Sequence, residues 1–338
     1  MKEATLSDIA REAKVSITTA SFVLNGKGDN LKIKAETQKR ILDIAQANNY
    51  TPNQLARNFR KGYTNTIGLI VPDISDDYYA KIAHRVEITA EKNNYKVIFG
   101  SSNENPVTEN QLINTFISRQ TDGLIIASTQ KNKADLKKLE SLGMPFVLID
   151  RHYPDLPYNY VIHDNLGGIK TGVNELLKKK CKKIAFVNVN LDLEALIRRR
   201  KGYEEALEKA GMKVDPNLIK YVSFDKFKEE LPGIIDSLLS IDTDGIIFST
   251  HYLAIEGLKV CKKRKCGFEK PLIVSYGDHE CFDMLERSVI RIDQSVTAIG
   301  DASIKMLVNA IKAKKEKKTF PREQIMLETK LVPVSKEE

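Results

Sequence analysis

Hydrophobic and polar positions at the start of the chain alternate with the period of a helix. From Leu6 to Ala13 the apolar side chains stand three and four residues apart, and Thr5 and Asp8 have the spacing of an N-terminal capping box. A helix is therefore predicted to begin near Leu6. A similar apolar stripe predicts a further helix over residues 35–48.

Between these two helices the pattern predicts a turn and a short helix with two different faces. Ser16 can cap this helix, and residues 17–25 place apolar side chains on the side that faces the first helix. The other side carries mostly short groups, as a helix that enters the major groove of DNA requires. A solvated helix in a small helical subdomain is the alternative. The candidate DNA contacts are Ser16, Ile17, Thr18, Thr19, Ser21, Phe22 and Asn25.

Beyond residue 66 short apolar runs, such as IGLIV at 67–71 and GLIIA at 123–127, alternate with helical patterns. Strands of this kind, separated by helices, predict parallel sheets covered by helices on both faces. The succession of elements predicts two such sheets, which divide near Asp164. The predicted helices cover residues 78–93, 108–119, 132–142, 165–179, 194–210, 225–239, 252–263, 279–286 and 296–314.

Charge distinguishes the two parts of the chain. Residues 1–62 contain 11 Lys and Arg but only 6 Asp and Glu, so they hold +5 of the formal net charge of +8. Basic side chains beside a helical pair can neutralise DNA phosphates and release counterions, although a charged run is more often only a solvated surface. The rest of the 338-residue chain is long enough to bury one or two substantial cores.

Several classes of function lack their sequence signatures. The chain has no G-x-G-x-x-G after a strand, no P-loop, no G-x-S-x-G and no H-E-x-x-H, so we nominate no catalytic or metal-binding residue and no cofactor. The four cysteines form no C-x-x-C pair and are expected to be reduced, isolated thiols. No apolar run can span a bilayer and the N-terminus lacks a signal-peptide pattern, so we expect a cytoplasmic protein without a membrane partner.

Three classes of protein fit these residues. Small molecules bind beyond the carboxyl ends of the strands in parallel sheets, and two lobes would place a cleft there. The chain could be a DNA-binding regulator with a ligand in that cleft, a cytosolic enzyme acting on a small metabolite and fused to a DNA-binding head, or a solute-binding module. Steeply salt-dependent, sequence-selective binding to duplex DNA would separate the regulator from the other two classes.

Five sequence motifs resemble those of the lactose-repressor/galactose-repressor (LacI/GalR) transcription factors. They are TLSDIA at 5–10, AKVS at 13–16, TTASFVLN at 18–25, YTPNQLAR at 50–57 and IGLIVPDI at 67–74, and the similarity extends from about residue 4 to the end. The resemblance implies an all-α helix-turn-helix head (1–50), a hinge helix or linker (51–64) and a two-lobed, periplasmic-binding-protein-like α/β domain with parallel sheets. The first lobe would comprise 65–163 with 294–318, and the second 164–293 with 319–335.

The resemblance also implies where ligands bind. DNA contacts in the linker are expected at Asn53, Arg57, Phe59 and Arg60, with Phe59 where relatives insert a leucine wedge into the minor groove. Cleft contacts to a sugar-sized or purine-sized effector are expected at Tyr78, Tyr79, Asp150, Arg199 and Gln294. Purely local roles are the alternative, with the two tyrosines capping the sheet and Asp150 pairing with Arg151.

Some positions depart from the family pattern. His251 and Gly277 stand where relatives usually carry acidic residues, and Asp278 follows one residue later. We include His251, as a neutral or pH-sensitive donor, and Asp278 among the predicted effector contacts. With these residues in place of the usual acids, an ordinary monosaccharide is a less favoured ligand. The alternative is that the site has degenerated. Phe22 stands where relatives often carry arginine, so a thymine methyl contact would replace a guanine contact.

These features together predict a homodimeric transcriptional repressor. One head reads only a few base pairs, so two heads are expected on the half-sites of a palindromic double-stranded operator. A carbohydrate-like or purine-like effector in the cleft would move the lobes and change operator affinity, because two linker helices stabilise each other only when the lobes hold them close. The C-terminal tail has no leucine heptads, so no tail-driven tetramer is expected.

Overall fold

The computed structural model describes residues 4–50, 63–266, 270–320 and 322–332. The chain divides into two units, Met1–Thr64 and Asn65–Glu338. Within its described residues the first unit consists of three helices. They are α1 (Leu6–Glu12), α2 (Ile17–Leu24) and α3 (Ala35–Ala47).

The helices of the first unit begin where their capping residues predict. The Thr5 hydroxyl accepts a 3.3 Å hydrogen bond from the backbone N–H of Asp8, whose carboxylate accepts a 3.0 Å bond from the Thr5 N–H. Ser16 Oγ accepts a 3.0 Å bond from the Thr19 N–H at the start of α2. The inner faces of the three helices bury a small core, formed by Ile9, Ala10, Ala13, Ala20, Val23, Ile41 and Ala45.

One half of the second unit, which we call lobe 1, is built on a six-stranded sheet. Its strands are β1 (Thr66–Val71), β2 (Lys96–Ser101), β3 (Gly123–Ile126), β4 (Phe146–Ile149), β5 (Tyr160–His163) and β11 (Gln324–Leu327). Their order is β11-β5-β4-β3-β1-β2, and every adjacent pair is parallel. Its helices are α4 (Asp77–Lys92), α5 (Pro106–Ser118), α6 (Lys133–Ser141) and α11 (Val296–Lys315).

The other half, lobe 2, repeats this arrangement. Its strands are β6 (Ile184–Val189), β7 (Ile219–Val222), β8 (Gly245–Phe248), β9 (Leu272–Tyr276), β10 (Val289–Asp293) and β12 (Lys330–Leu331). The order is β12-β10-β9-β8-β6-β7, and only the β10–β12 pair is antiparallel. Its helices are α7 (Asn165–Lys178), α8 (Glu194–Lys209), α9 (Phe227–Leu239) and α10 (His251–Lys263), with 3₁₀ segments at Pro216–Leu218 and Glu280–Met284.

Hydrophobic clusters cover both faces of each sheet, which explains why the strands appear in the sequence as continuous apolar runs. All four residues are buried in each of β3, β4 and β8. The predicted pair of parallel sheets is thus confirmed. None of the helices in the described part of the chain is long and apolar enough to cross a membrane.

The structure differs from the predicted elements at short or half-exposed segments. Four strands were not predicted, namely β7, β10, β11 and β12. β11 lies at the edge of its sheet with alternating exposed residues, and β12 has only two residues, so neither forms an apolar run. The helix predicted over 279–286 is only the 3₁₀ segment Glu280–Met284.

The chain crosses between the lobes three times within the described residues, after β5, β10 and β11. Helix α11 returns to lobe 1 and packs against α4, β3 and β4. The C-terminal segment 319–335, predicted to belong entirely to lobe 2, is corrected here: β11 pairs with β5 in lobe 1, and only β12 joins lobe 2. The error arose because the hydrophobic pattern of an edge strand does not reveal which sheet it joins.

Candidate DNA-reading helix and ligand-binding cleft

The outer face of α2 carries the predicted DNA contacts. Ile17 and Phe22 are 52% and 37% exposed, whereas Ala20 and Val23 on the inner face are buried. Thr18 is exposed as well. Phe22 therefore lies outside the small core of this unit, and α2 presents a mixture of apolar and short polar side chains to solvent, as a helix in a major groove does.

The remaining contacts predicted on α2 and at its caps form local hydrogen bonds. Ser16 Oγ lies 2.8 Å from Thr19 Oγ1, and Asn25 Nδ2 donates a 2.5 Å bond to the carbonyl oxygen of Ser21. A hydroxyl can make further bonds while it caps a helix, so these positions remain able to contact DNA. Exposed basic side chains of the same unit are Lys27, Lys32, Lys34, Lys39 and Arg40.

The predicted contacts of the linker, Asn53, Arg57, Phe59 and Arg60, lie outside the described residues, as does the predicted hinge helix between Pro52 and Gly62. Their contribution to DNA binding stays a prediction.

A cavity of about 490 Å³ lies between lobes 1 and 2, beyond the carboxyl ends of the parallel strands. Its lining comes from segments that directly follow strands, such as the start of α4 after β1 and the start of α10 after β8. Parallel strands end at the same edge of their sheet, so residues far apart in the chain meet there. Six of the seven predicted effector contacts line the cavity: Tyr78, Tyr79, Asp150, Arg199, His251 and Gln294.

Asp150 occupies the centre of the lobe 1 wall. Its carboxylate accepts a 2.7 Å hydrogen bond from the Tyr79 hydroxyl and a 3.3 Å bond from the Tyr78 hydroxyl. Burial raises the pKa of both tyrosines well above the usual value, so both phenols remain neutral donors. The Asp150 backbone adopts a left-handed φ of +63°, which positions the carboxylate at the strand end.

Arg151 is held mainly by Glu104 and not by the adjacent Asp150. Its guanidinium donates two hydrogen bonds, of 2.6 and 2.8 Å, to the carboxylate of Glu104, whereas its Nε lies 3.7 Å from Asp150. The two-bond geometry favours the Glu104 pair. The local Asp150–Arg151 pair that the sequence left open is therefore the weaker contact, and the hydrogen bonds to the Asp150 carboxylate come from the two tyrosines.

Arg199 forms the corresponding polar centre of lobe 2. Its Nε and Nη1 each donate a 2.8 Å hydrogen bond, to Asn165 Oδ1 and to the carbonyl oxygen of Ser249, and its guanidinium lies 3.9 Å from the ring centre of Tyr276. The side chain is buried, and no carboxylate of the described residues forms an ion pair with it. These contacts hold the guanidinium in a fixed orientation at the cavity wall.

Two buried donors of the cavity wall have no partner among the described residues. They are the amide nitrogen Nε2 of Gln294 and the hydroxyl of Tyr276. A buried polar group without a hydrogen bond costs about 1–3 kcal/mol. A ligand that accepts hydrogen bonds from both groups would remove this cost, so the wall is suited to a molecule with several oxygen atoms.

His251 contacts lobe 1 across the cleft. Its Nε2 lies 3.7 Å from Asp76 Oδ2, and its ring stacks on that of His279, with centres 5.9 Å apart. Burial lowers the pKa of His251 and raises that of Asp76. A neutral imidazole is therefore favoured at neutral pH, which is one of the two alternatives that the sequence left open for His251.

The prediction for Asp278 needs correction. This residue does not line the cavity, and its carboxylate accepts a 3.1 Å hydrogen bond from Arg291. Gly277, with a φ of +102°, separates the end of β9 from Asp278 and occupies the position next to the cleft. Arg291 makes a second, 2.8 Å bond to Asp283, so Asp278 belongs to a charged cluster within lobe 2.

Sequence reasoning missed several cavity residues. Tyr276 ends β9, Tyr252 follows His251, and Asp76 caps α4 through hydrogen bonds from the Tyr78 and Tyr79 backbone. Tyr276 could have been found from its position, because it is the last residue of an apolar run. His279 and Glu104 lie in loops and have no such signal.

The fold and the sites define a class: a DNA-binding helix-turn-helix unit joined to a two-lobed ligand-binding domain. Residues 5–53 match the family described as bacterial regulatory proteins, lacI family. Residues 64–326 match the family described as periplasmic binding proteins and sugar binding domain of LacI family. The chain therefore belongs to the LacI family, and it is a DNA-binding transcriptional regulator controlled by a small-molecule effector.

Known proteins resemble most of the chain. The HTH-type transcriptional regulator RegA of Clostridium saccharobutylicum is 28% identical over 97% of both chains. The sucrose operon repressor of Klebsiella pneumoniae is 34% identical over 64% of this chain and 65% of its own length. A structure of the lac repressor dimer bound to operator and an anti-inducer has a TM-score of 0.82 at 17% identity and covers 98% of both chains. A CelR–cellobiose complex has a TM-score of 0.71 at 22% identity, also over 98% of both chains.

Proposed function

We propose that this regulator is a homodimeric repressor that acts in the cytoplasm, binds a palindromic operator through two copies of α2, and changes its operator affinity when a carbohydrate-like molecule binds the cleft. The proposal assigns residues 1–50 to the DNA-binding head and 51–64 to the linker. The two lobes carry the ligand site, and no chemical conversion of the ligand is assigned to them.

The exposed face of α2 supports the DNA part of the proposal. Ile17, Thr18 and Phe22 project from one helix that the rest of the head holds rigidly through its buried inner face. One such helix contacts only a few base pairs, so tight binding needs two heads on adjacent major grooves. The lac repressor structure that resembles this chain is a dimer bound to operator.

The cavity wall supports the ligand part, and the observation that carries it is the pair of buried donors without partners, Tyr276 and Gln294. They stand with Asp150, a hydrogen-bond acceptor, and Arg199, a donor. A molecule with several hydroxyl groups offers both donors and acceptors and satisfies such a wall. His251 replaces a carboxylate on lobe 2, so we infer a ligand that needs fewer acidic contacts there than the usual monosaccharide.

The experiment combines operator selection with a ligand screen. Full-length protein would select binding sites from random duplexes, and its thermal unfolding would be measured with sugars, sugar acids, sugar phosphates and nucleobases. A cleft ligand must raise the melting temperature by mass action, and the same compound must change the affinity for the selected operator.

Three results would count against the proposal. They are a strictly monomeric protein, equal affinity for scrambled and symmetric duplexes, and conversion of the cleft ligand into a product. The last result would favour the enzyme alternative.

A further inference from the structure

Two of the four cysteines meet at the C-terminal end of α10. Cys261 lies in the last turn of this helix, and the backbone N–H of Cys266 donates a 3.0 Å hydrogen bond to the carbonyl oxygen of Cys261. Lys265, between the helix end and Cys266, adopts a left-handed φ of +53°. This hydrogen bond and this φ are a common way for a helix to end. All four thiols are free, as predicted, but Cys261 and Cys266 are neighbours and not isolated.

The backbone geometry brings the two residues within reach of a covalent link. Given the 3.0 Å hydrogen bond, standard backbone dimensions place their Cα atoms at most about 7 Å apart. Disulfides join Cα atoms that are about 4.4–6.8 Å apart. The Cys261 thiol also interacts with the Cys266 side chain through a hydrogen bond, so the two sulfur atoms are neighbours. Both side chains, like that of Cys281, pack against one hydrophobic cluster of lobe 2.

The environments of the two thiols differ. Cys261 is only 2% exposed, whereas Cys266 is half-buried and can meet a reagent from solvent. Burial and the neighbouring Cys266 raise the pKa of Cys261 to about 11, and Arg287 opposes this shift. The residues between the two thiols, Lys262, Lys263, Arg264 and Lys265, are all basic.

The other two cysteines provide a contrast within the same chain. Cys181 belongs to the hydrophobic cluster on the opposite face of the lobe 2 sheet, and Cys281 lies in the 3₁₀ segment after β9. The groups that shift the pKa of these two thiols include no other cysteine. They are therefore internal controls for any reaction that depends on two adjacent thiols.

We propose that Cys261 and Cys266 are a redox-active dithiol, which a small-molecule disulfide oxidises to an intramolecular disulfide. Cys266 gives its proton to solvent, and its thiolate attacks one sulfur of the reagent. A mixed disulfide forms, and the other half of the reagent leaves as a thiolate that takes up a proton. Cys261 then attacks Cys266 Sγ, and its proton goes to the second leaving thiolate. Two cysteine thiols are thereby oxidised by two electrons, and one reagent disulfide is reduced to two thiols.

The disulfide would join two residues at the C-terminal end of α10, a helix that begins in the cleft. Helix α10 starts at His251 and Tyr252, both of which line the cavity, and spans about 15 Å to Cys261 at 1.5 Å per residue. The dithiol thus lies at the end of α10, the helix whose first residues form part of the cavity wall in lobe 2.

The test uses the folded, full-length protein with oxidised glutathione. Remaining thiols are counted and alkylated, and the digested protein is mapped by mass spectrometry. We expect two of the four thiols to disappear and a cross-linked peptide pair to join Cys261 and Cys266. The cross-link should persist in Cys181→Ser and Cys281→Ser proteins and vanish in Cys266→Ser.

The mapping of the unaltered protein decides the proposal even where a variant fails to fold. A stable glutathione adduct on Cys266 without the cross-link would overturn the proposal, as would a cross-link that forms only in urea. A disulfide that joins either of these residues to Cys181 or Cys281 would overturn it as well.

Discussion

The hydroxyl of Tyr79 donates a 2.7 Å hydrogen bond to Asp150, and thereby joins the first turn of α4 to the end of β4. Both side chains are buried, so the bond is shielded from water. Tyr78, the neighbour of Tyr79, reaches the other oxygen of the same carboxylate at 3.3 Å. Two consecutive residues of one helix thus hold the acidic group of the cleft.

Removal of the shorter bond should destabilise the domain. In Tyr79→Phe the Asp150 carboxylate loses its closest donor while buried, and we expect the free energy of unfolding to fall by about 1–3 kcal/mol. Tyr78→Phe removes the longer bond and is the matched control, with a smaller expected loss. Urea unfolding of both variants measures the difference. Equal losses would show that the 2.7 Å bond has no special role.

Arg199 should determine the response to ligand. An Arg199→Ala protein should bind the cleft ligand at least about tenfold more weakly, because the loss of one charged hydrogen bond costs about 1.5–3 kcal/mol. Arg198→Ala is the control, since Arg198 is adjacent, half-exposed and paired with Glu194. Calorimetric titration with the ligand found by thermal shift measures both affinities. Operator binding without ligand should survive in both proteins, and an unchanged affinity in Arg199→Ala would remove this residue from the site.

Phe22 should contribute to base preference. Its ring is partly exposed on α2, so Phe22→Arg should keep the stability of the head within about 0.5 kcal/mol. Arginine can make two hydrogen bonds to guanine, whereas phenylalanine can only pack on apolar groups such as the thymine methyl. We therefore expect the variant to select operators with a changed base in each half-site. Identical selected sequences would place Phe22 away from the bases.

Acid should destabilise the protein through His163. Burial lowers the pKa of His163 to about 4 from a usual value of 6.5. The unfolded chain therefore takes up a proton as the pH falls below about 6.5, and the folded chain does not until about pH 4. The contribution of His163 to the free energy of unfolding should fall by about 2 kcal/mol from pH 7 to pH 5.

His163→Gln isolates this effect from those of the other titrating groups. Its unfolding free energy should depend less on pH than that of the unaltered protein, by about the same 2 kcal/mol. His84 is exposed, and His84→Gln is the control. If His163→Gln retains the full pH dependence, the proton uptake occurs elsewhere.

Close packing of α7 and α8 depends on Gly202. A Cβ at this position would lie 2.4 Å from the backbone oxygen of Leu166, which a side-chain adjustment cannot relieve. Gly202→Ala should therefore destabilise the protein by about 1–3 kcal/mol. Gly233→Ala is the control, because no atom of the described residues lies within 4 Å of its added Cβ in α9 and alanine is the better helix former. Thermal unfolding should move in opposite directions for the two variants, and a neutral Gly202→Ala would contradict the packing argument.

Local patterns were sufficient to determine much of this protein. The capping groups Thr5 and Ser16 act within three residues of their partners, so sequence spacing alone located the helix starts. Continuous apolar runs such as IGLIV identified central strands, because both faces of these strands are buried. The motifs at 5–25 and 67–74 pointed to the family, and six of seven predicted cleft residues line the cavity.

Tertiary contacts decided the rest, because they join residues that no sequence pattern connects. β11 pairs with β5, which lies more than 160 residues earlier in the chain. The sheet that such an edge strand joins depends on which strands are near it in the folded protein. Gly277 occupies the position next to the cleft, so Asp278 lies outside it. The main partner of Arg151 is Glu104, which is distant in the chain, and not the adjacent Asp150. The contact of Cys261 with Cys266 likewise required the left-handed turn at Lys265, a conformation set by the helix end and not visible as a cysteine motif.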